Sequence, residues 1–214
     1  MMKPLMAVFI HDPQCETDCA LGMIDGLVRD FDIRTFGLAE LTYKFLLDFD
    51  VVCFPGGMGD SEDFHSIFTA EHVLAVQDYV NKANGKYFGV CMGAYWAGWH
   101  YFDVVEDLVI GQYIERPTGD ITFDGATIAE VEWLDNTEWM YFYDGCAIIG
   151  DNMDVIATYK NGDAMAAIQG NVGMIGCHPE AQSWWYAEGD MDDFYDSRHA
   201  QLMSNFVKQL VNNE

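Results

Sequence analysis

A chain of 214 residues, half of them hydrophobic, is long enough to fill one α/β core and short for two, so residues 1–214 are expected to form one domain and extensive disorder is excluded. Thirty-five acidic against ten basic side chains give a net charge of −25, a field that repels phosphate backbones and anionic lipid and so excludes nucleic-acid and membrane-surface roles. Charged residues make up an ordinary 21%, so bases are scarce rather than acids extreme, and the surface reads as solubilising or salt-adapted.

In chain order, Leu5 to Ile10 reads as a first core strand that reaches His11-Asp12 too soon for a signal peptide, and no apolar run is long enough to span a membrane. A helix is expected over Ala20 to Arg29, a strand over Asp32 to Leu38, a helix over Leu41 to Phe49 and a strand over Val51 to Phe54. Val73, Val76 and Val80 give Ala70 to Ala83 the one-faced spacing of a helix. Lys86 to Val90 then reads as a short buried strand and Met92 to His100 as a helix. This alternation predicts a flavodoxin-like three-layer α/β sandwich with a central, mostly parallel sheet. Past His100 the pattern changes to strands at Val104 to Ile114, Ile121 to Leu134, Trp139 to Ile149, Asp154 to Tyr159 and Ala164 to Gln169. Asp124-Gly125, Asp144-Gly145 and Asn161-Gly162 punctuate them, so an antiparallel, strand-rich insertion is expected in the second half, with Asn161-Gly162 as a hairpin turn. The chain returns to a core strand at Val172 to Cys177 and closes with a helix from Asp192 to Val211.

Cys91 stands where the strand ending at Val90 turns into the helix beginning at Met92, a nucleophile-elbow arrangement in which Gly89 and Gly93 allow the tight bend. A helix N-terminus at that point favours thiolate over thiol. In open α/β sheets ligands bind beyond the carboxyl ends of the strands, and four segments are expected there: His11-Asp12, Phe54-Pro55-Gly56-Gly57, Cys91 and His178-Pro179-Glu180. A thiolate attacking a carbonyl needs a proton shuttle, an orienting carboxylate and donors for the developing oxyanion. His178 and Glu180 can supply the first two, and the backbone N–H groups of Met92 and of Gly56 or Gly57 the third, with Gly57 assigned. Gly56, Tyr95, Tyr143 and Asp144 are expected to line the substrate pocket.

Six cysteines in a chain of this size make no dense disulfide framework, and a reducing, cytoplasmic compartment is expected. Cys53 and Cys177 are expected to point into the core beside the site. His11, Cys15 and Cys19 stand four apart, but Pro13 argues against a helix there and no second Cys or His pair follows at zinc-like spacing, so they read as a loop over the active site with incidental thiols. No metal or organic cofactor is expected. The stretch from Trp184 to Tyr195, aromatic and acidic, reads equally as a lid over the site and as packing and capping for the last helix.

Pro55-Gly56-Gly57, the Gly89-Val90-Cys91-Met92-Gly93 elbow and His178-Pro179-Glu180, in that order, resemble the class I glutamine amidotransferase-like superfamily. Within it, Phe54-Pro55-Gly56-Gly57, Gly89 to Tyr95, Tyr143-Asp144-Gly145 and His178-Pro179-Glu180 look like the amidotransferase-like domain at the N-terminus of some biotin-protein ligases and its stand-alone relatives. The resemblance spans nearly the whole chain and implies that domain without a ligase. It implies a Cys-His-Glu hydrolase or transferase acting at the carbon–nitrogen bond of a small amide or γ-glutamyl-like substrate, with a synthase or ligase partner that the sequence does not identify. Glutamine-hydrolysing members generally carry Gln two residues beyond the second elbow glycine, where this chain has Tyr95, and that counts against glutamine as the substrate. The alternative reading is a non-catalytic binding or regulatory domain that keeps the elbow.

Overall fold

The computed structural model describes residues 2–213. Its elements follow the chain as β1 (Leu5–Phe9), α1 (Thr17–Leu27), β2 (Asp32–Phe36), α2 (Tyr43–Leu46), β3 (Val51–Phe54), α3 (Phe64–Ile67), α4 (Ala70–Lys82), β4 (Lys86–Val90) and α5 (Met92–Tyr95). The second half adds β5 (Val109–Gln112), β6 (Thr127–Trp133), β7 (Asn136–Phe142), β8 (Cys146–Ile149), β9 (Asp154–Tyr159), β10 (Ala164–Gln169), β11 (Val172–Ile175), α6 (Ser183–Glu188) and α7 (Arg198–Asn212).

β3 and β4 are buried at every residue and β1 at all but its first, as strands covered on both faces must be. Their side chains alternate between two cores. Val8, Val51 and Val90 pack beneath α1 and α7 with Met23, Leu27, Met203, Phe206 and Leu210. Phe9, Val52, Phe54 and Tyr87 pack on the opposite face with Leu46, Val76 and Tyr79 of α2 and α4. This is the expected three-layer α/β arrangement.

The five strands β2-β1-β3-β4-β11 are parallel, in the order of flavodoxin-like sheets, with β11 taking the last position after the whole strand-rich insertion. The insertion adds no separate layer. β10 pairs antiparallel with β11 and carries β9, β6 and β7 outward, while β8 joins the side of β10 and binds β5. The Asn161-Gly162 turn joins β9 to β10 with Gly162 at φ +90°.

Sequence expectations shift in several places. Between residues 41 and 49 only Leu41 and Leu46 are buried, so the segment is anchored at two points and forms a single helical turn, capped by the Thr42 hydroxyl accepting from the Phe45 N–H at 3.2 Å. The run from Trp139 to Ile149 is two strands: Asp144 adopts φ +42°, and β8 leaves β7 to pair elsewhere. The last helix starts at Arg198, where the Asp196 carboxylate accepts from the Arg198 N–H at 2.8 Å, and the residues before it hold α6 and a short 3₁₀ turn.

Candidate active site

Strand register gathers the site. Phe54 of β3 pairs with Gly89 of β4, and Val90 of β4 pairs with Ile175 of β11, so Pro55-Gly56-Gly57, Cys91 and His178-Pro179-Glu180 leave three adjacent parallel strands at the same end. Cys91 turns with φ +50° and ψ −107°, a conformation that L-residues rarely hold, and its N–H donates to the Ile175 carbonyl at 2.9 Å. Gly93 makes the turn fit. A Cβ there would run into the Phe54 carbonyl of β3.

The helix after Cys91 is shorter than its sequence predicts. It ends at Tyr95, the N–H groups of Ala97 and Gly98 bond three residues back, and the Phe102 N–H folds onto the Trp96 carbonyl at 2.9 Å. Trp96 is fully buried among Phe54, Phe64, Phe68 and Phe102, which pulls the chain off the helical path. One helical turn carries little of a macrodipole, so the electrostatics around Cys91 fall chiefly to His178.

His178 and Glu180 are each 3% exposed, and the ring Nδ1 lies 2.8 Å from Glu180 Oε1. The His178 backbone N–H donates to the Tyr141 carbonyl at 2.9 Å. Burial works against a charged imidazole, but negative charge on Cys91 and Glu180, together with the hydrogen bond to Glu180, outweighs it and lifts the His178 pKa to about 10. Gly56 packs against this set, where a Cβ on it would sit 2.6 Å from His178 Cε1 and 3.2 Å from Cys91 Cβ, and it is not among the residues that wall the cavity at Cys91.

Gly57, Cys91, Met92, Tyr95, Tyr143 and Asp144 share the wall of a cavity of about 610 Å³. Cys91 Sγ lies 3.6 Å from the Tyr143 carbonyl, and the Tyr95 hydroxyl donates to the Asp144 carbonyl at 3.0 Å. Gln112, unmarked by any motif, holds the Asp144 carboxylate with bonds of 2.8 and 3.0 Å. Burial pushes that carboxyl's pKa up. A second cavity of about 450 Å³ opens on the His178 side, with Gly57, Met58 and Tyr143 common to both.

The segment His11-Asp12 lines neither cavity. His11 and Cys15 exchange backbone hydrogen bonds, and the Asp12 carboxylate accepts from the Thr17 N–H at 2.8 Å where α1 begins. Cys19, expected in a loop, is in α1, whose Gly22 packs on the Glu180 backbone. Its Sγ, a His178 ring nitrogen and a Glu180 oxygen lie within 4.8 Å of one another. These donors are of a kind that bind soft divalent cations, although His178 and Glu180 are already engaged with each other. Burial and the nearby Glu180 and Cys91 charges push the Cys19 thiol far up, so it is a neutral neighbour of the site. Cys53 and Cys177 are fully buried in the core under α1 and α7, and all six cysteines are free.

The strand-to-helix cysteine and the buried His–Glu pair lie at the carboxyl ends of a 2-1-3-4-11 sheet, a mixed α/β fold that this chain shares with glutamine amidotransferases of known structure. Solved structures bear out that fold. The chain is similar to a glutamine amidotransferase from Thermotoga maritima, at 12% identity over 99% of this chain and 100% of that one, with a TM-score of 0.67. It is similar to the PurLQS structure from Thermotoga maritima, at 15% identity over 98% and 100% of the two chains and a TM-score of 0.66. A chain assigned to GMP synthase from Thermoplasma acidophilum aligns at 12% identity over 98% and 96%, with a TM-score of 0.65. No protein-family model matches the chain, and no curated protein matches it by sequence.

Proposed function

We propose that the protein is a class I glutamine amidotransferase-like enzyme that cleaves or transfers at the carbon–nitrogen bond of a small amide or γ-glutamyl-like substrate. The observation that carries this reading is the buried His178 Nδ1···Glu180 Oε1 contact of 2.8 Å beside the elbow cysteine. The Cys91 thiolate attacks the carbonyl carbon, and the oxygen becomes an oxyanion between the N–H groups of Gly57 and Met92, both on the wall of the Cys91 cavity. The carbon–nitrogen bond then breaks as protonated His178 gives its proton to the leaving nitrogen, leaving a thioester on Cys91. Water, or an acceptor amine, gives a proton to the now neutral His178 and takes the acyl group, which restores the Cys91 thiolate and the protonated imidazole. Glu180 orients the imidazole throughout.

Tyr95 supports a substrate other than glutamine, because its side chain stands at the motif position of the glutaminase Gln and is tied to the Asp144 carbonyl. The biotin-protein-ligase-like group, whose motifs the chain shares, is the branch of the superfamily we favour. The likeness to a PurLQS chain is consistent with a synthase or ligase partner. Six free, buried cysteines favour a reducing compartment, and among the described residues no helix is long and apolar enough to cross a membrane.

The test is turnover of an amide panel by the wild type and by Cys91→Ser. Turnover is expected to fall at least about a thousandfold in Cys91→Ser, with binding of the same amide retained. Equal binding by both proteins with no turnover by either supports instead the non-catalytic binding domain that Tyr95 also permits.

A further inference from the structure

The two cavities that meet at Cys91 and His178 share a chemical bias. Asp60, Glu62, Asp124 and Asp144 line the Cys91 side, Glu16, Asp18 and Glu188 line the His178 side, and among the described residues no lysine or arginine lines either. A free α-carboxylate, such as glutamine carries, has no cationic side chain to meet it here. The His178 side is also walled by Tyr141, Trp184 and Trp185, with Trp184 and Trp185 ring centroids 5.8 Å apart and those of Tyr141 and Trp185 5.4 Å apart. Aromatic faces ringed by carboxylates hold alkylammonium groups by cation–π attraction and ion pairing. Trp185 is 8% exposed and Tyr141 9%, so these two rings are held firmly in the wall of the cavity. Glu16 shows the crowding of negative charge: burial, then Asp12 and Asp18, raise its carboxyl's proton affinity, and a bound cation would relieve this.

The general acid fixes which half of the substrate lies where. His178 protonates the leaving nitrogen, so the leaving amine occupies the cavity His178 lines, while the acyl half faces Cys91, Met92 and Tyr95. We propose that the substrate is an amide of a diamine or polyamine, whose distal ammonium sits among Glu16, Asp18, Glu188 and the Trp184–Trp185 pair. This rests on the reading of Cys91 as a nucleophile acting on an amide. The reaction balances as thiolate addition to the carbonyl carbon, departure of the amine with the His178 proton, and hydrolysis of the Cys91 thioester by water, whose proton returns to His178.

The experiment is calorimetric titration of Cys91→Ala, which keeps the cleft and turns nothing over, with 1,4-diaminobutane, n-butylamine and glutarate. The diamine is expected to bind most tightly and glutarate least. Adding Glu16→Gln and Glu188→Gln should weaken the diamine by about tenfold or more, as expected for lost ion pairing in a partly desolvated aromatic site. Adding Asp48→Asn and Glu71→Gln instead removes the same charge from positions that line neither cavity and should change binding less than about twofold. Equal weakening by the two pairs, glutarate binding as tightly as the diamine, or no diamine binding overturns the proposal. Alkylation of wild-type Cys91 by neutral iodoacetamide separates the two ideas. A reactive Cys91 with no preference for the diamine sinks the cation site alone, whereas an inert Cys91 with tight diamine binding sinks the enzyme reading and, with it, the leaving-group assignment.

Discussion

At His178 two opposing effects meet, and their balance can be measured. Burial disfavours the charged ring, while Cys91 and Glu180 favour it strongly enough to raise its pKa from 6.5 to about 10. A pKa raised on folding stabilises the fold fully below the unfolded value of 6.5, and that contribution is lost as pH rises through about 10. Imidazole NMR should therefore show His178 protonated at pH 8 in the wild type and titrating at lower pH in Cys91→Ala, which lacks one of the two charges. In urea unfolding, the stability advantage of the wild type over His178→Gln should shrink between pH 7 and pH 10.5, and a constant advantage contradicts the assignment. Gly56 tests position rather than charge. Gly56→Ala puts a Cβ 2.6 Å from His178 Cε1, so the ring must move, and turnover should fall about a hundredfold, the scale of loss for an ångström-sized misplacement. Retained kcat in Gly56→Ala would show that the ring does not need its present position.

The elbow is the element on which the site depends, and it holds strain. Cys91 sits at φ +50°, ψ −107°, a conformation costing roughly 1–3 kcal/mol for a residue with a Cβ. Cys91→Gly and Cys91→Ala both remove the sulfur, but only glycine relaxes the backbone. After about 0.4–1 kcal/mol of unfolded-state entropy is set against it, Cys91→Gly should be the more stable of the two by about 1 kcal/mol. Urea midpoints with equal slopes check this, and an alanine variant as stable as the glycine one removes the strain argument. Much of this element was legible in the sequence: Gly89, Cys91 and Gly93 after an apolar run mark a strand-to-helix bend, and β3, β4, β9 and β10 lie at their expected residues. The length of α5 was not legible, because the burial of Trp96 against four aromatic residues distant in sequence decides it. Nor was Cys19 beside Glu180, because the packing of α1 on the segment after β11 sets that contact and no local pattern encodes it. Gln112 and the acids of the two cavities other than Asp144 escaped for the same reason, being scattered along the chain and gathered only by the tertiary fold.

Across the whole molecule the charge imbalance bears on stability. Arg34, Lys82, Arg116, Lys160, Arg198 and Lys208 already pair with acids, so most of the ten basic side chains are committed, while among the described residues most acids have no lysine or arginine partner. Repulsion among like charges destabilises a compact state more than an expanded one, and salt screens it over about 10 Å at 0.1 M and about 3 Å at 1 M. The few exposed ion pairs are screened too, but each is worth at most about 1 kcal/mol, so the repulsive balance should dominate. The urea midpoint is therefore expected to rise from 20 mM to 1 M sodium chloride, with most of the rise complete by a few hundred millimolar, where screening rather than a general salt effect acts. Substituting Asp48→Asn and Asp103→Asn, both exposed, should reproduce part of the gain at 20 mM and add little at 1 M. A midpoint flat across that range, or one that climbs only above 1 M, would mean that the surface acids are far enough apart for water alone to accommodate them.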